Sequence, residues 1–293
     1  SNGKSMRVRA NERWKDVVNS SSPNRFEQLR YLEIMIDNLC NFECRMCTSW
    51  FSTKLYNRDV FLGLNPVQQF RKANISFLRV MDLSYLEHIH LQGGEPFLSP
   101  NFEEIIDIIE EQKDLKEVEI SFSTNASTIP SDSIKKKLLK FKFVELYVSL
   151  ESTHKVNDYI RYRGSIEKIL KNVEHFKKWS NSKLSVGSNI NVFNADTMPQ
   201  TREDFNNLGY EYYHSFTAKA TCVLDYAPNE YREWLFNRVK NTEFETLYKN
   251  FYKNKQYDKK KWNEFIHETK KLDEYYNIRL MDYHPDLATF LNI

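Results

Sequence analysis

The sequence predicts an α/β fold in which six parallel strands alternate with helices. The predicted form is a partial (β/α)6, TIM-like barrel with an N-terminal extension and a helical C-terminal tail. Short apolar runs alternate with segments of helical character six times along the chain, which is typical of βαβ units. Residue types that carry chemistry follow directly after these runs, where β/α barrels bind their ligands. After Pro228 the segments are helical.

The predicted strands are short runs rich in apolar residues, and the first of them alternates apolar with polar positions. Their ranges are 31–37, 87–91, 118–123, 144–150, 184–192 and a sixth within 211–225.

The helices of the barrel are predicted from apolar periodicity and from their start signals. Pro66 and Pro100 stand at the starts of two of them, where proline is favoured. The barrel helices are predicted between residues 66 and 73 and over 99–111, 130–141, 165–179 and 201–208, and the tail helices over 229–240, 243–252 and 260–276. These patterns predict three regions: an N-terminal extension over 1–30, the barrel over 31–227 and the helical region over 228–293.

The composition limits the function classes. The 293 residues carry 42 Lys and Arg against 40 Asp and Glu, so the formal net charge of +2 gives no argument for nucleic-acid binding. No apolar stretch approaches the length of a membrane span, and the start lacks a signal-peptide pattern. We therefore expect a cytoplasmic protein without a membrane partner. The chain begins at Ser1 without an initiator methionine, which suits a processed product or a fragment, and the sequence leaves open whether residues upstream of Ser1, cysteines among them, are missing.

Three cysteines, Cys40, Cys44 and Cys47, follow the first predicted strand within eight residues. Three thiolates at this spacing suit three irons of a four-iron cluster and leave the fourth iron open to a small molecule. A structural zinc site is the alternative, although it needs a distant fourth ligand. Disulfides are not expected, because the three cysteines are poorly placed to pair and four cysteines do not make a secreted framework. The fourth, Cys222, is interpreted as a buried strand residue.

Four further motifs lie after later strands. Gln92–Pro96 has the sequence Gln-Gly-Gly-Glu-Pro and follows the second strand. The other three are Ser123-Thr124-Asn125, Ser149-Leu150-Glu151 and Arg161-Tyr162-Arg163-Gly164.

The Cys-x3-Cys-x2-Cys spacing and these motifs, in this order, resemble the radical S-adenosylmethionine (radical SAM) enzymes, and in particular their SPASM/twitch-type peptide-modifying branch. The resemblance spans residues 30 to 195. One position departs from the family pattern: Met46 stands before the third cysteine where the family usually has an aromatic residue. The tail has no cysteine, so it cannot build the Cys-rich auxiliary cluster domain of many such relatives.

The resemblance implies a function for each motif. Cys40, Cys44 and Cys47 would hold a [4Fe–4S] cluster at which SAM is reductively cleaved to a 5′-deoxyadenosyl radical. The implied SAM contacts are Gly93, Gly94 and Glu95 for the amino group, Ser123, Thr124, Asn125, Ser149 and Glu151 for the ribose and methionine parts, and Arg161 and Arg163 for the carboxylate. One of Asn189, Asn191 and Asn194, at the end of the fifth strand, is a further candidate for the adenosine.

Several of these side chains also have purely structural interpretations. Thr124 and Asn125 are typical of turns, Glu151 is typical of a helix cap, and either arginine can form a surface ion pair. His88 and His90 share one face of a strand and are interpreted as packed strand residues rather than metal ligands.

The implied partners are a peptide or protein substrate and an electron donor such as flavodoxin or ferredoxin. Two alternative functions stay open. One is radical SAM chemistry on a small molecule or nucleoside. The other is a non-catalytic binding module that contains zinc.

Overall fold

The computed structural model describes residues 11–18, 28–67, 70–217, 222 and 224–293. Six strands form one sheet in the order β1-β2-β3-β4-β5-β6. Their bounds are β1 Tyr31–Met35, β2 His88–Gln92, β3 Glu119–Thr124, β4 Phe143–Ser149, β5 Ser182–Ile190 and β6 Glu211–Phe216. All six predicted strands are present, and the strands are parallel. The predicted α/β fold of a partial (β/α)6 barrel is therefore confirmed.

The register separates an apolar face of the sheet from a polar one. Ile34 pairs with Leu91, Leu91 with Phe122 and Phe122 with Leu146, and all four side chains are buried. Because side chains alternate along a strand, the neighbouring positions face the other way. That opposite row consists of Glu33, His90, Ser121 and Glu145.

The described helices follow the predicted alternation and continue beyond β6. Their bounds are α1 Lys15–Val18, α2 Leu55–Phe61, α3 Pro100–Gln112, α4 Asp132–Leu138, α5 Val156–Ile160, α6 Ile166–Phe176, α7 Met198–Asn207, α8 Asn229–Arg238, α9 Glu243–Tyr252, α10 Lys259–Tyr276 and α11 Pro285–Leu291. The predicted helical tail is confirmed, and α11 extends it. No helix in the described ranges combines the length and the apolarity that crossing a membrane requires.

The helix predicted between residues 66 and 73 is wrong where the structure describes that segment. Gln68 and Gln69 lie outside the described residues, and the other positions are not helical. The backbone N–H of Ala73 donates to the carbonyl oxygen of Ile36, and Lys72 forms an antiparallel bridge with Asp37. These extended pairings use the backbone groups that a helix would need. The nearby helix is α2, which periodicity did not predict because it is only seven residues long.

The chain forms two compact units. The first consists of Ser1–Cys40, Phe70–Val148 and Asn172–Ser185. In it, the N-terminal extension is held by side chains of the described segment 11–18. The indole N–H of Trp14 donates to Glu87, and both Arg13 Nη atoms donate to Glu119. Residues 1–10 and 19–27 of the predicted extension lie outside the described residues.

The second unit consists of Asn41–Gln69, Ser149–Lys171 and Val186–Ile293. One hydrophobic core joins Tyr159 and Ile190 to side chains of the tail helices, such as Tyr231 and Tyr248. The boundaries at residues 30 and 227 stay predictions about domain organisation. Within this unit, however, the tail helices share a core with residues that precede them.

His88 and His90 are packed strand residues, as interpreted from the sequence. Both rings lie within hydrogen-bond distance of the hydroxyl of Ser121, at 2.8 Å and 2.7 Å. Burial disfavours the charged imidazole, and it lowers the pKa of His88 from 6.5 to about 4. The folded protein therefore keeps His88 neutral where the unfolded chain would take up a proton.

This difference predicts a loss of stability in mild acid. As the pH falls from about 6.5 to about 4, the unfolded state binds a proton that folded His88 does not, so the free energy of unfolding should fall by on the order of 2 kcal/mol. Urea unfolding at pH 7, 6 and 5 measures this slope. The His88→Gln variant should show a shallower slope, and an identical slope in both proteins would contradict the assignment.

Candidate cofactor site

The cysteine loop runs from the end of the β1 segment to α2. None of the four cysteines is in a disulfide, as expected, and Cys44 and Cys222 are buried. In the second unit, the backbone N–H of Cys47 donates to the carbonyl oxygen of Cys44 at 3.0 Å, which closes a tight turn between these two residues. Cys222 lies in a turn, with its sulfur 3.9 Å from the carbonyl oxygen of Arg45, so its predicted placement on a strand is wrong but its burial is confirmed.

The turn after β2, in the first unit, places two glycines against the backbone that precedes Cys40. A Cβ atom on Gly94 would lie 2.1 Å from the carbonyl oxygen of Leu39, and one on Gly93 would lie 2.5 Å from that of Asp37. Gly93 also has φ +148°, which side chains disfavour. Only glycine fits this close approach, so the Gly-Gly pair is more than a generic turn signal.

Glu95 organises the end of β3 in the same unit. Its side chain is fully buried, and one carboxylate oxygen accepts from the Thr124 hydroxyl at 2.6 Å. The other oxygen accepts from the backbone N–H of Asn125 at 2.7 Å. Asn125 in turn lies with its amide nitrogen 3.9 Å from the sulfur of Cys40. The structure thus gives Glu95 the loop-ordering role: it holds Thr124 and Asn125, and Asn125 contacts Cys40.

Two further predicted residues, Ser123 and Ser149, lie on the strands themselves. Ser123 is exposed and lies in register with Tyr147, on the polar face of the first unit's strands. Ser149 ends β4 and is half-buried.

In the second unit, Glu151 and Arg161 form a buried ion pair at 2.5 Å. Glu151 also accepts from the backbone N–H of Asn189, and it does not cap a helix. An Arg161 Nη atom lies 3.9 Å from the sulfur of Cys44.

Both members of this pair are buried, so each charge has lost water contacts that its partner must replace. Burial opposes the charged guanidinium, yet the pKa of Arg161 is raised, because Glu151 and the thiols of Cys44 and Cys47 lie near it. Burial favours the neutral form of Glu151 and raises its pKa, while Arg161 opposes this. We assign an ionised pair, since a neutral Glu151 would leave the buried guanidinium uncompensated.

Arg163 lies apart from this pair. Its guanidinium is half exposed and donates to Glu43, and its backbone φ is +73°. Of the two arginines proposed for the SAM carboxylate, Arg161 is therefore the one that contacts a cysteine. Arg163 instead fixes the residue before Cys44.

A cavity of about 420 Å³ opens beside the second unit's cysteines. Its lining includes Cys44, Met46, Cys47, Arg161 and Asn189. This volume lies in the range of small-molecule sites. Met46, the residue that departs from the family pattern, lines the cavity, with its sulfur 3.8 Å from the Asn191 amide. Among the three asparagines after β5, Asn189 lines the cavity, whereas Asn191 and Asn194 are fully buried.

Sequence reasoning missed Arg58, on α2. Its guanidinium donates to the carbonyl oxygens of both Cys44 and Cys47 at 3.0 Å, and its side chain is 1% exposed. It also missed Asp273 on α10, which pairs with buried Arg45 at 2.5 Å. The only local signal was Arg58 next to Asp59 on a short helix, and a solvent-exposed helix shows the same pattern.

The residues present fit a thiolate-bound iron–sulfur cluster and SAM. The donor set is three closely spaced thiols, which suit such clusters. A buried guanidinium lies beside the Cys44 thiol, and Gly94 lies against the backbone of Leu39, the residue before Cys40. Over the described ranges, no three His, Cys, Asp or Glu side chains are grouped in metal-binding geometry.

Fold and site together define an α/β protein with a three-cysteine loop after its first strand and a glycine turn after its second. A family model described as the Radical SAM superfamily matches residues 34–208, more than half of the chain. The chain belongs to the radical SAM superfamily, whose enzymes use a [4Fe–4S] cluster and SAM. The predicted enzyme class and cofactors are thereby confirmed.

Two curated relatives are similar at low identity. A GTP 3′,8-cyclase from Aliarcobacter butzleri (strain RM4018) is 24% identical over 149 residues, which are 50% of this chain and 43% of the relative. The radical SAM cyclopropyl synthase TigE of Paramaledivibacter caminithermalis is 22% identical over 227 residues, or 73% of this chain and 45% of TigE. The chain thus spans less than half the length of either relative.

Among solved structures, native anSMEcpe with bound AdoMet has a TM-score of 0.51 at 16% identity. The match covers 85% of this chain and 61% of that one. At this identity it supports the fold.

Proposed function

We propose that this protein reductively cleaves SAM at a [4Fe–4S] cluster held by Cys40, Cys44 and Cys47. We propose further that it uses the resulting 5′-deoxyadenosyl radical to modify a peptide or protein side chain. The observation that carries the proposal is the cavity beside Cys44 and Cys47, with the buried Arg161–Glu151 pair at its wall. When bound, the cluster supplies the electron that splits SAM.

The chain's own residues would bind and orient the cofactor. Gly93 and Gly94 allow close backbone approach, and Glu95 holds Thr124 and Asn125 in fixed positions. These positions suit hydrogen bonds to the amino and ribose groups of SAM. In the second unit, Arg161 is the candidate for the SAM carboxylate, because its guanidinium lines the cavity.

The substrate class is inferred from the Arg161–Gly164 stretch, which resembles the peptide-modifying branch. A small-molecule or nucleoside substrate is the second candidate function, which the similarity to a GTP 3′,8-cyclase favours.

We also propose a cellular compartment and an electron donor for this protein. Three reduced thiols and an oxygen-sensitive cluster fit a reducing cytoplasm. A flavodoxin or ferredoxin would supply the electron there.

The test is anaerobic reconstitution with iron and sulfide, followed by dithionite and SAM, with 5′-deoxyadenosine measured by chromatography. We expect iron and sulfide uptake and steady 5′-deoxyadenosine formation. The Cys44→Ala variant should fall to the background without protein, because one iron loses its ligand. The matched control is Cys222→Ala, which removes the buried cysteine outside the loop and should retain cleavage.

Other outcomes separate the alternatives. Zinc without iron or sulfide would support a zinc-containing module and overturn the proposal. Conversion of added GTP during SAM cleavage would overturn its peptide part and favour the second candidate function.

A further inference from the structure

Arg58 joins two predicted cluster ligands through their backbone. It lies on α2, eleven residues after Cys47, and its side chain is 1% exposed. One Nη atom donates to the carbonyl oxygen of Cys44 and the other to that of Cys47, each at 3.0 Å. Because the guanidinium is planar and rigid, this fork fixes the separation of the two carbonyl groups.

The partner carboxylate stabilises the guanidinium within the loop. Asp59 accepts from Arg58 Nε at 3.0 Å and from an Nη atom at 2.6 Å. The other carboxylate oxygen accepts from the backbone N–H of Ser49. Arg58 therefore faces the cysteine carbonyls on one edge and is held by Asp59 on another.

Arg58 is charged despite its burial. Arginine stays protonated in proteins, and the carboxylate of Asp59 pairs with this guanidinium at 2.6 Å. A neutral donor would satisfy two carbonyl oxygens without the cost of desolvating a charge. The retained charge has a clear use beside two thiolates, because positive charge and hydrogen bonds near a cluster favour its reduced, more negative state.

We propose that Arg58 is a positioning residue for the cluster: it sets the shape of the Cys44–Cys47 turn and places a fixed positive charge beside those two ligands. This inference rests on the proposed function, because it concerns the cluster of that site. It assigns two separable effects to one side chain, geometry through the fork and electrostatics through the charge.

Three variants separate these effects. Arg58→Lys keeps a charge but lacks the rigid planar fork that spans the two carbonyls, and Arg58→Met removes both the charge and the fork. Arg58→Met combined with Asp59→Asn removes the pair together, which avoids leaving a buried carboxylate without its cation. The control is Arg238→Met, which breaks a pair with Asp196 in the same unit.

Two quantities are measured. One is the reduction potential of the reconstituted cluster, monitored by electron paramagnetic resonance. The other is the rate at which the cluster loses iron to a chelator. We expect Arg58→Met to shift the potential to a more negative value and to lose iron faster than the wild-type protein. Arg58→Lys should lose iron faster with a potential close to that of the wild type. The double variant should fold and show the faster iron loss, and Arg238→Met should match the wild type in both.

Two results would overturn the inference in distinguishable ways. A wild-type chain that takes up no four-iron cluster would remove the proposed function and this inference with it. A wild-type chain that binds the cluster, with unchanged potential and iron loss in all Arg58 variants, would leave the proposed function intact and reduce Arg58 to a stabilising residue.

Discussion

The Gly94→Ala variant should unfold at a markedly lower urea concentration than the wild-type protein. The new Cβ would lie 2.1 Å from the carbonyl oxygen of Leu39 and 2.4 Å from its carbonyl carbon. Both are backbone atoms, so no rotamer change relieves the overlap. Forced overlap in a packed region costs about 1–3 kcal/mol and sometimes more, and we expect the upper end here.

The displaced backbone leads directly to Cys40, so a second effect follows. The hydrogen bond from the N–H of Glu95 to the carbonyl oxygen of Leu39, at 2.7 Å, would be strained together with Gly94. The variant should therefore also take up less iron on reconstitution. The matched control is Gly209→Ala, a glycine with φ +72° and nothing within 4 Å of its Cβ position. This control introduces backbone strain without atomic overlap, and we expect it to lose about 1 kcal/mol of stability. It should keep wild-type iron uptake. Equal losses in both variants would contradict the close-approach argument.

The Asp273→Ala variant should lose about 3–5 kcal/mol of stability, because it leaves a buried charge without its partner. Asp273 lies on α10 and accepts from the Arg45 guanidinium at 2.5 Å and from the Tyr159 hydroxyl at 2.7 Å. The Arg45 side chain is 1% exposed and lies over the Tyr159 ring at 3.7 Å. Since Arg45 stands between Cys44 and Met46, the tail helix takes part in holding the cysteine loop.

A double-mutant cycle distinguishes a lost ion pair from a lost side chain. Combining Arg45→Met with Asp273→Ala removes both charges and should recover much of the stability lost in Asp273→Ala alone. Urea unfolding of the four proteins gives the coupling energy. Asp282→Asn, which breaks an exposed pair with Arg279, should leave the unfolding midpoint unchanged. Additive losses in the cycle would show that Arg45 and Asp273 do not act together.

The alternation of strands and helices was predictable because it is written in local periodicity. Five strands appear within two residues of their predicted bounds, β6 lies within its predicted range of 211–225, and α9 matches its predicted range. The spacing of apolar residues along a strand is a local property of the sequence, so it can be recognised without knowing what packs against the strand. The short helices α2 and α5 were not predicted, because five to seven residues hold too few turns to show a period.

The candidate site divides in the same way. The cysteines, the Gly-Gly turn and Glu95 were predictable, because they lie in short motifs that can be recognised in the sequence alone. Their partners were not. Glu151 was expected to cap a helix or contact SAM, and it pairs with Arg161 ten residues later.

By itself, the sequence determined the alternation of strands and helices in the α/β fold, the cysteine loop and the membership of the radical SAM superfamily. These depend on patterns within a few tens of residues. Only the tertiary structure decided that Arg58 bridges two cysteine carbonyls and that Asp273 reaches Arg45 from 228 residues away. The physical reason is that a buried charge is defined by its partners and its loss of water, and both arise only when distant segments pack together.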